Sequence, residues 1–389
     1  MKVGFIADIH LQGGFESKEA KALEEAGFLF RKQQVGIVCV CGDIYEGVST
    51  EEQRLVFKNF LERFSANNIP VIVLRGNHDT PKELLINHQD DLVHVFEKPG
   101  SITIKQYNMQ KKIEEYVYLS IIPHFSAGAV ALQSGNISEF GDKGTNLMVD
   151  ILNKMYQDIN NQEHPSLVLF HGTVSGAMLD NEKIPRTDGI HLPLSVLETL
   201  GVPVVGGHYH KKQNVGGKVW YPGSITRQTW GEYQDDKGVL IWEHNGENWL
   251  PEPEFHSLNP QPMVSVQAEF VDGKFIDSES KEEIDLDKLA PEGTKLRFRY
   301  SVKKEEVHNL PSDLKEKLQA IDPTAKIEKR TITAEVVRNK EILDSTTVDD
   351  SLRVYYKGRG LADKEIDWIL SIKQEILDMQ NAQREEVAA

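Results

Sequence analysis

Five short clusters hold most of the residues that could break a bond: Asp8-Ile9-His10, Gly42-Asp43, Gly76-Asn77-His78-Asp79, His171-Gly172 and Gly207-His208-Tyr209-His210. Carboxylate, imidazole and amide oxygen are donors that suit divalent manganese, iron or zinc better than thiol-seeking ions. Two such ions about 3.5–4 Å apart, sharing a carboxylate, can clamp the attacking and leaving oxygens of a phosphoester. Each cluster is weak alone, since Gly-Asn-His-Asp is also a turn composition and Gly-His-x-His a common loop one. All five in this order, each closing an apolar run, point to a divalent-metal centre. The glycines beside them let the chain turn sharply where a strand hands over to a loop.

Such a centre needs a frame that brings distant positions together. Residues 3–7, 36–41 and 71–74 read as short strands that end at the first three clusters. Between them lie helical stretches, one with Ala20, Leu23, Ala26 and Phe30 at spacings of three and four. The other, residues 52–64, places Leu55, Phe57, Phe60, Leu61 and Phe64 mainly on one side. Strand-helix-strand-helix-strand favours a parallel α/β sheet with right-handed crossovers. Residues 167–170 and 202–205 add two apolar strands leading into His171 and the Gly-His-Tyr-His cluster. All five clusters then sit at carboxyl ends of strands, where open α/β sheets gather their ligands. Cys39 and Cys41, the only two cysteines, share one strand face and read as buried core.

The chain of 389 residues is long enough for two or three domains. Residues 1–250 form the expected catalytic domain, and 251–263, with Pro251, Pro253, Pro260 and Pro262, a linker. A hairpin-like stretch, 239–249, precedes it with Asn245-Gly246 at the turn. Strands at 264–270, 295–302 and 326–332 and a helix at 311–320 predict a small α+β domain over 264–345, and 346–389 a helical end. The 44 basic against 60 acidic residues leave a net charge of −16, which argues against a nucleic-acid coat or a polybasic membrane binder. It does not exclude a nuclease, because bound cations add positive charge where phosphate must sit. No apolar run approaches a membrane span, and the run after Lys2 is cut short at Asp8, unlike a signal peptide. A cytoplasmic protein with no membrane partner is expected.

The clusters resemble the signature of the calcineurin-like metallophosphoesterase superfamily, D-x-H…G-D…G-N-H-[DE]…H…G-H-x-H, from Asp8 to His210. The resemblance implies an α/β fold, a two-sheet β-sandwich flanked by helices, with a small α+β capping domain. It implies one metal held by Asp8, His10 and His210, a second by Asn77, His171 and His208, and Asp43 bridging them. His78 would act on the scissile phosphate rather than on a metal, with Asp79 orienting it or ending a turn. Phosphoprotein phosphatases continue the second motif with Asp-Arg-Gly, whereas this chain has Ile44-Tyr45-Glu46-Gly47. Downstream, Tyr221-Pro222-Gly223-Ser224-Ile225-Thr226-Arg227, Glu232 and Lys237-Gly238 resemble the Y-P-G-S-x-x-R…E…K-G block of SbcD-type DNA repair nucleases, relatives of meiotic recombination 11. That resemblance implies a two-metal DNA nuclease, with Mn2+ foremost and Mg2+, Fe2+ or Zn2+ as alternatives. It also implies DNA and an SbcC-type SMC-like ATPase as partners, and it is compatible with a homodimer. A metallophosphoesterase acting on a small phosphodiester or phosphomonoester is the competing reading, and a metal-free adaptor a third.

Candidate DNA contacts are Lys211 and Lys212 directly after the last cluster, Arg227 in the downstream block, and a cationic strand face at 295–304. On that strand Leu296, Phe298, Tyr300 and Val302 would face a core, and Lys295, Arg297, Arg299 and Lys303 the opposite surface. Such a row tracks a phosphate backbone or simply protects a solvated edge. The final helix, 363–384, carries Ile366, Trp368, Ile369, Leu370, Ile372, Ile376, Leu377 and Met379, a stripe wide enough for its own core or for a partner helix.

Overall fold

The apolar runs that end at the five clusters belong to two different sheets. In a computed structural model of the chain, the described residues are 1–85, 90–108, 112–124, 140–178, 190–332 and 347–388. The strands of the first 257 residues are β1 Lys2–Ile6, β2 Ile37–Val40, β3 Val71–Leu74, β4 Val93–Phe96, β5 Gly100–Asn108, β6 Ile113–Ile122 and β7 Ser166–His171. They continue with β8 Thr173–Val174, β9 His191–Leu192, β10 Val204–Gly207, β11 Gln213–Gly216, β12 Val219–Tyr221, β13 Gly238–Glu243 and β14 Glu254–Ser257. One six-stranded sheet runs β14-β13-β1-β2-β3-β4 and the other β11-β12-β10-β7-β6-β5, with β8 and β9 as a separate pair. The β1–β2, β2–β3 and β7–β10 pairs are parallel, so each sheet delivers its clusters at one end.

Alternation along the strands builds the layers. Val3, Phe5, Ile37, Cys39, Ile72 and Leu74 share one buried cluster with Leu119, Ile121, Leu167 and Leu169 of the second sheet, so the inner faces pack together. The opposite face of the first sheet, through Val38, Val40, Val71 and Val73, packs on helices α1 (Lys18–Lys32) and α2 (Glu51–Ser65). Those helices contribute Leu23, Ala26, Phe30, Phe57, Phe60 and Phe64. Val168, Phe170 and Val204 on the outer face of the second sheet meet Leu152 and Met155 of the helix Phe140–Asn160. Strands β1, β2, β3, β7 and β10 are buried on both faces, which is why they read as unbroken apolar runs. A capping box of Thr50 and Gln53 starts α2, and Ser17 caps α1.

The helix-flanked two-sheet sandwich is the one the family resemblance implies, and it replaces the single parallel sheet suggested by strand-helix alternation, because period and length do not reveal which sheet a strand joins. Leu55, expected on the buried side of α2, is 43% exposed. Besides β1, β13 pairs with β14, which lies inside the stretch 251–263 read as a linker, while Trp249 contributes only a bridge to His244. Strands β4 to β6 were not anticipated.

Contacts divide the chain into two compact units, the first Met1–Gln267, Ile284–Arg299 and Ser312–Glu328, the second Ala268–Glu283, Tyr300–Pro311 and Lys329–Ala389. Strands β15 Met263–Val271, β16 Lys274–Asp277, β17 Lys295–Lys303 and β18 Lys326–Ile332 form a four-stranded sheet, with the helix Leu314–Ile321 between the last two in sequence. In the second unit the helices Val348–Lys357 and Asp363–Ala388 are joined by Arg353–Asp367 at 2.6 Å and Lys357–Asp363 at 3.3 Å. Among the described residues, no helix is long and apolar enough to cross a membrane.

Candidate metal centre

The loops after β1, β2, β3, β7 and β10 converge, and backbone contacts zip them together. Asp8 N–H donates to Gly42 O at 3.1 Å, His10 N–H to Asp43 O at 3.0 Å and Leu11 N–H to Ile44 O at 2.9 Å. Asp8, His10, Asp43 and His208 all adopt positive φ (49°, 49°, 52° and 114°), which L-residues favour little. Holding several such residues in one place is strain of the kind kept at functional sites. Gly42, at φ 89°, is also needed for space, since a Cβ there would collide with the His171 ring.

Three sets of side chains come together, Asp8, His10 and Asp43, then Asp43, His171 and His208, and at the mouth His10, Glu46 and His78, each with ligand atoms within 4.8 Å of one another. Asp43 belongs to the first two. Its Oδ2 lies 3.7 Å from His10 Nε2 and 3.4 Å from His171 Nε2. Asn77 Oδ1 is 3.0 Å from His171 Nε2 and 2.8 Å from His208 Nδ1, and His210 Nε2 is 3.1 Å from His10 Nε2. His171 Nδ1 donates to Cys41 O at 2.7 Å, which leaves Nε2 as a lone pair in the neutral ring. In the metal-free protein a proton on Nε2 bridges to the oxygen of Asn77, and a cation that displaces it would meet both atoms as ligands. His10 and His210 likewise turn their Nε2 atoms to one another, as two ligands of one cation would. The seven side chains brought together are oxygen and imidazole donors suited to two divalent ions.

Protonation in the metal-free cluster is split by burial and charge. Burial pushes the Asp8 carboxyl up to about 7, with His171 opposing and Asp43 adding to the rise. Burial works the same way on Asp43, but the charge of His171 and its hydrogen bonds outweigh it and hold that carboxyl below the usual range. Burial would lower His171, yet Asp43 and Asp8 bring it up to about 9. Burial and the neighbouring His171 charge press His208 down to about 3. One carboxylate is thus anionic beside a cationic ring, the pattern expected where like groups crowd a dry site.

His78 stands on the open side, half exposed, with its backbone N–H donating to Asp43 Oδ1 at 2.9 Å. Asp79 does not orient it. The Asp79 carboxylate is buried and accepts from the amides of Ile44 (2.9 Å), Tyr45 (3.1 Å) and Gly76 (2.8 Å), so it ties the second and third loops together. Burial raises this carboxyl to about 6. The carboxylate facing the His78 ring is Glu46, 3.5 Å from Nδ1 and 2.5 Å from His10 Nδ1, though out of line for a hydrogen bond to the latter. Sequence reasoning gave Glu46 no role; its only signal was an acidic residue two positions past Ile44. His124 was also passed over; its ring lies 6.1 Å from that of His171, and burial with the His171 charge presses it down to about 4.

The downstream block belongs to the same scaffold. Tyr221 Oη donates to Gly172 O at 2.8 Å, Ser224 N–H donates to His210 O at 3.1 Å, and Lys237 Nζ donates to the same carbonyl at 2.7 Å. Arg227 spends its guanidinium on the carbonyls of Asp235 (3.0 Å) and Gln261 (2.8 Å). Arg297 forms a two-point pair with Glu328 at 3.0 and 3.1 Å, while Leu296, Phe298, Tyr300 and Val302 are buried as expected. Lys212 Nζ lies 3.8 Å over the Phe255 ring, and Lys211 and Arg299 are half-buried.

The family model of the calcineurin-like phosphoesterases matches residues 1–212, and the chain belongs to that family. The unit built around the five loops is therefore a metallophosphoesterase domain. Among solved structures, the chain is similar to GAP50, the anchor in the inner membrane complex of Plasmodium, at 12% identity and TM-score 0.43 over 67% of this chain and 85% of that one. It is similar to a dimetal phosphatase from Danio rerio at 12% identity and TM-score 0.42, over 67% and 97%.

Proposed function

We propose that the chain is the nuclease subunit of an SbcD-type DNA repair or recombination complex, hydrolysing phosphodiester bonds at DNA ends with two Mn2+ ions. When bound, the ions supply Lewis-acid activation and charge neutralisation at the phosphate. Asp8, His10 and His210 would hold one, Asn77, His171 and His208 the other, and Asp43 both. His78 would meet the phosphate from the open side and hold or deliver a proton at the leaving oxygen.

The observation that carries the DNA reading is a groove of about 700 Å3 in the first unit, lined by Lys18, Lys21, Arg227, Lys295 and Lys326 against Glu16 and Glu25. In a chain of net charge −16 a cation-lined groove is a local inversion of sign, and a phosphate backbone is what it fits. The SbcC-type ATPase is proposed to dock on the last helix, where Trp368 is 66% and Ile376 50% exposed. The side chains of Leu377 and Met379 lie outside the described residues.

The test is hydrolysis of end-labelled duplex DNA by the purified chain with Mn2+, with and without the ATPase, beside nitrophenyl and cyclic-nucleotide diesters. Shortening of the duplex ends is expected. Turnover of the small diesters with intact DNA would instead favour the small-molecule phosphoesterase.

A further inference from the structure

One carboxylate and one ammonium beside the cluster are completely enclosed and belong to no ligand set. The side chains of Glu232 and Lys237 are both 0% exposed, with Lys237 Nζ 2.8 Å from Glu232 Oε2. Burying an ion pair is costly and rarely the best route to stability, since apolar residues of the same volume often do better. This pair is nevertheless held by several hydrogen bonds. Glu232 Oε1 accepts from His210 Nδ1 at 3.2 Å and from the amide and hydroxyl of Thr229 at 3.1 Å each, and Oε2 accepts from the Gln228 amide at 3.1 Å. The Lys237 ammonium also donates to His210 O at 2.7 Å and lies 3.5 Å from the Asp235 carboxylate as an ion pair.

Both contacts of interest fall on one residue. Glu232 takes the ring Nδ1–H of His210, and Lys237 takes its backbone carbonyl. A proton fixed on Nδ1 leaves Nε2 as the lone pair, and Nε2 is the atom that faces His10 Nε2 at 3.1 Å. A carboxylate behind an imidazole fixes its tautomer and rotation and raises its basicity as a ligand. We propose that Glu232 and Lys237 are positioning residues that clamp His210 as an Nε2 metal ligand and so set the affinity of one of the two metal sites. This rests on the two-metal reading of the cluster.

The experiment titrates metal-free, full-length protein with Mn2+ by calorimetry, and follows thermal unfolding of the same samples. The natural chain should bind two ions. Glu232→Gln should weaken one ion by about 10–100-fold, the usual effect of losing such a partner, and leave the other unchanged. Glu232→Asp, which keeps the charge, should recover part of the loss. If Glu232→Gln does not fold, the neutral pair Glu232→Gln/Lys237→Met removes both buried charges together, and it should fold and still bind one ion weakly. Folded variants with both affinities unchanged, or with both lowered equally, would overturn the clamp, as would recovery of full affinity in the double variant. Fewer than two ions on the natural chain would overturn the two-metal reading itself.

Discussion

At the mouth of the cluster His78 sits beside Asn77, which is exposed. The His78 ring is half exposed, while its backbone amide, which any residue retains, bonds to Asp43. His78→Ser should therefore keep both metals and lower the rate of phosphodiester hydrolysis by about 10²–10⁴-fold, the range for losing a general acid or base. Single-turnover assays with parallel metal analysis measure both quantities, and an emptied metal site would make His78 a ligand instead. The ligands themselves predict a pH effect. Asp8 at about 7 and His171 at about 9 carry protons in the metal-free protein that a metal must displace. Mn2+ affinity should thus rise from about pH 6 to about pH 9, with net proton release seen by calorimetry in buffers of differing ionisation heat. Because both folded pKa values are raised, their contribution to metal-free stability is greatest at low pH and is lost as pH rises through about 7 for Asp8 and about 9 for His171. A pH-independent affinity would contradict this protonation pattern. The seven side chains that the loops bring together, and their order, were legible in the sequence. The task of Asp79 was not, since a carboxylate beside a histidine reads the same whether it bonds the ring or three amides from two loops.

Loops and strands carry the next layer of precision. Asp79→Ala would leave the amides of Ile44, Tyr45 and Gly76 without their shared acceptor, and each unpaired buried amide costs about 1–3 kcal/mol. The variant should melt measurably lower than the natural chain and bind metal more weakly, because the loops bearing Asp43 and Asn77 lose their tie. An unchanged melting temperature would show that the carboxylate is dispensable. The strands feeding these loops were readable because burial on both faces makes their sequences continuously apolar. Their division between two sheets was not, since pairing depends on contacts far apart in the chain, such as Gly207 beside His171. Strand β5, with Lys105, Gln106 and Tyr107 along an exposed edge, lacks that apolar signal. Nor does sequence announce that Asp8, His10 and Asp43 turn to positive φ.

Across the whole molecule, every ligand and all three core clusters of the sandwich lie in the first unit, and the final helix in the second. Removing the chain from Asp363 onward should therefore leave a folded, metal-loaded hydrolase, and polar residues at Ile369 and Ile376 should act likewise. Co-purification with the proposed SbcC-type ATPase should fail in both cases; loss of the catalytic fold would instead mark the apolar stripe as core, and a surviving complex would move the docking site elsewhere. The small α+β region was legible in its strands at 264–270, 295–302 and 326–332, whereas β14 was hidden by the prolines around it. Central to all of this is one carboxylate shared by two metal sites. The most direct measurement is the number of Mn2+ ions per chain, by equilibrium dialysis and elemental analysis, for the natural protein and Asp43→Ala. Two ions on the natural chain, with loss at both sites and no phosphodiester hydrolysis in the variant, are predicted; two ions retained by Asp43→Ala with normal turnover would contradict it.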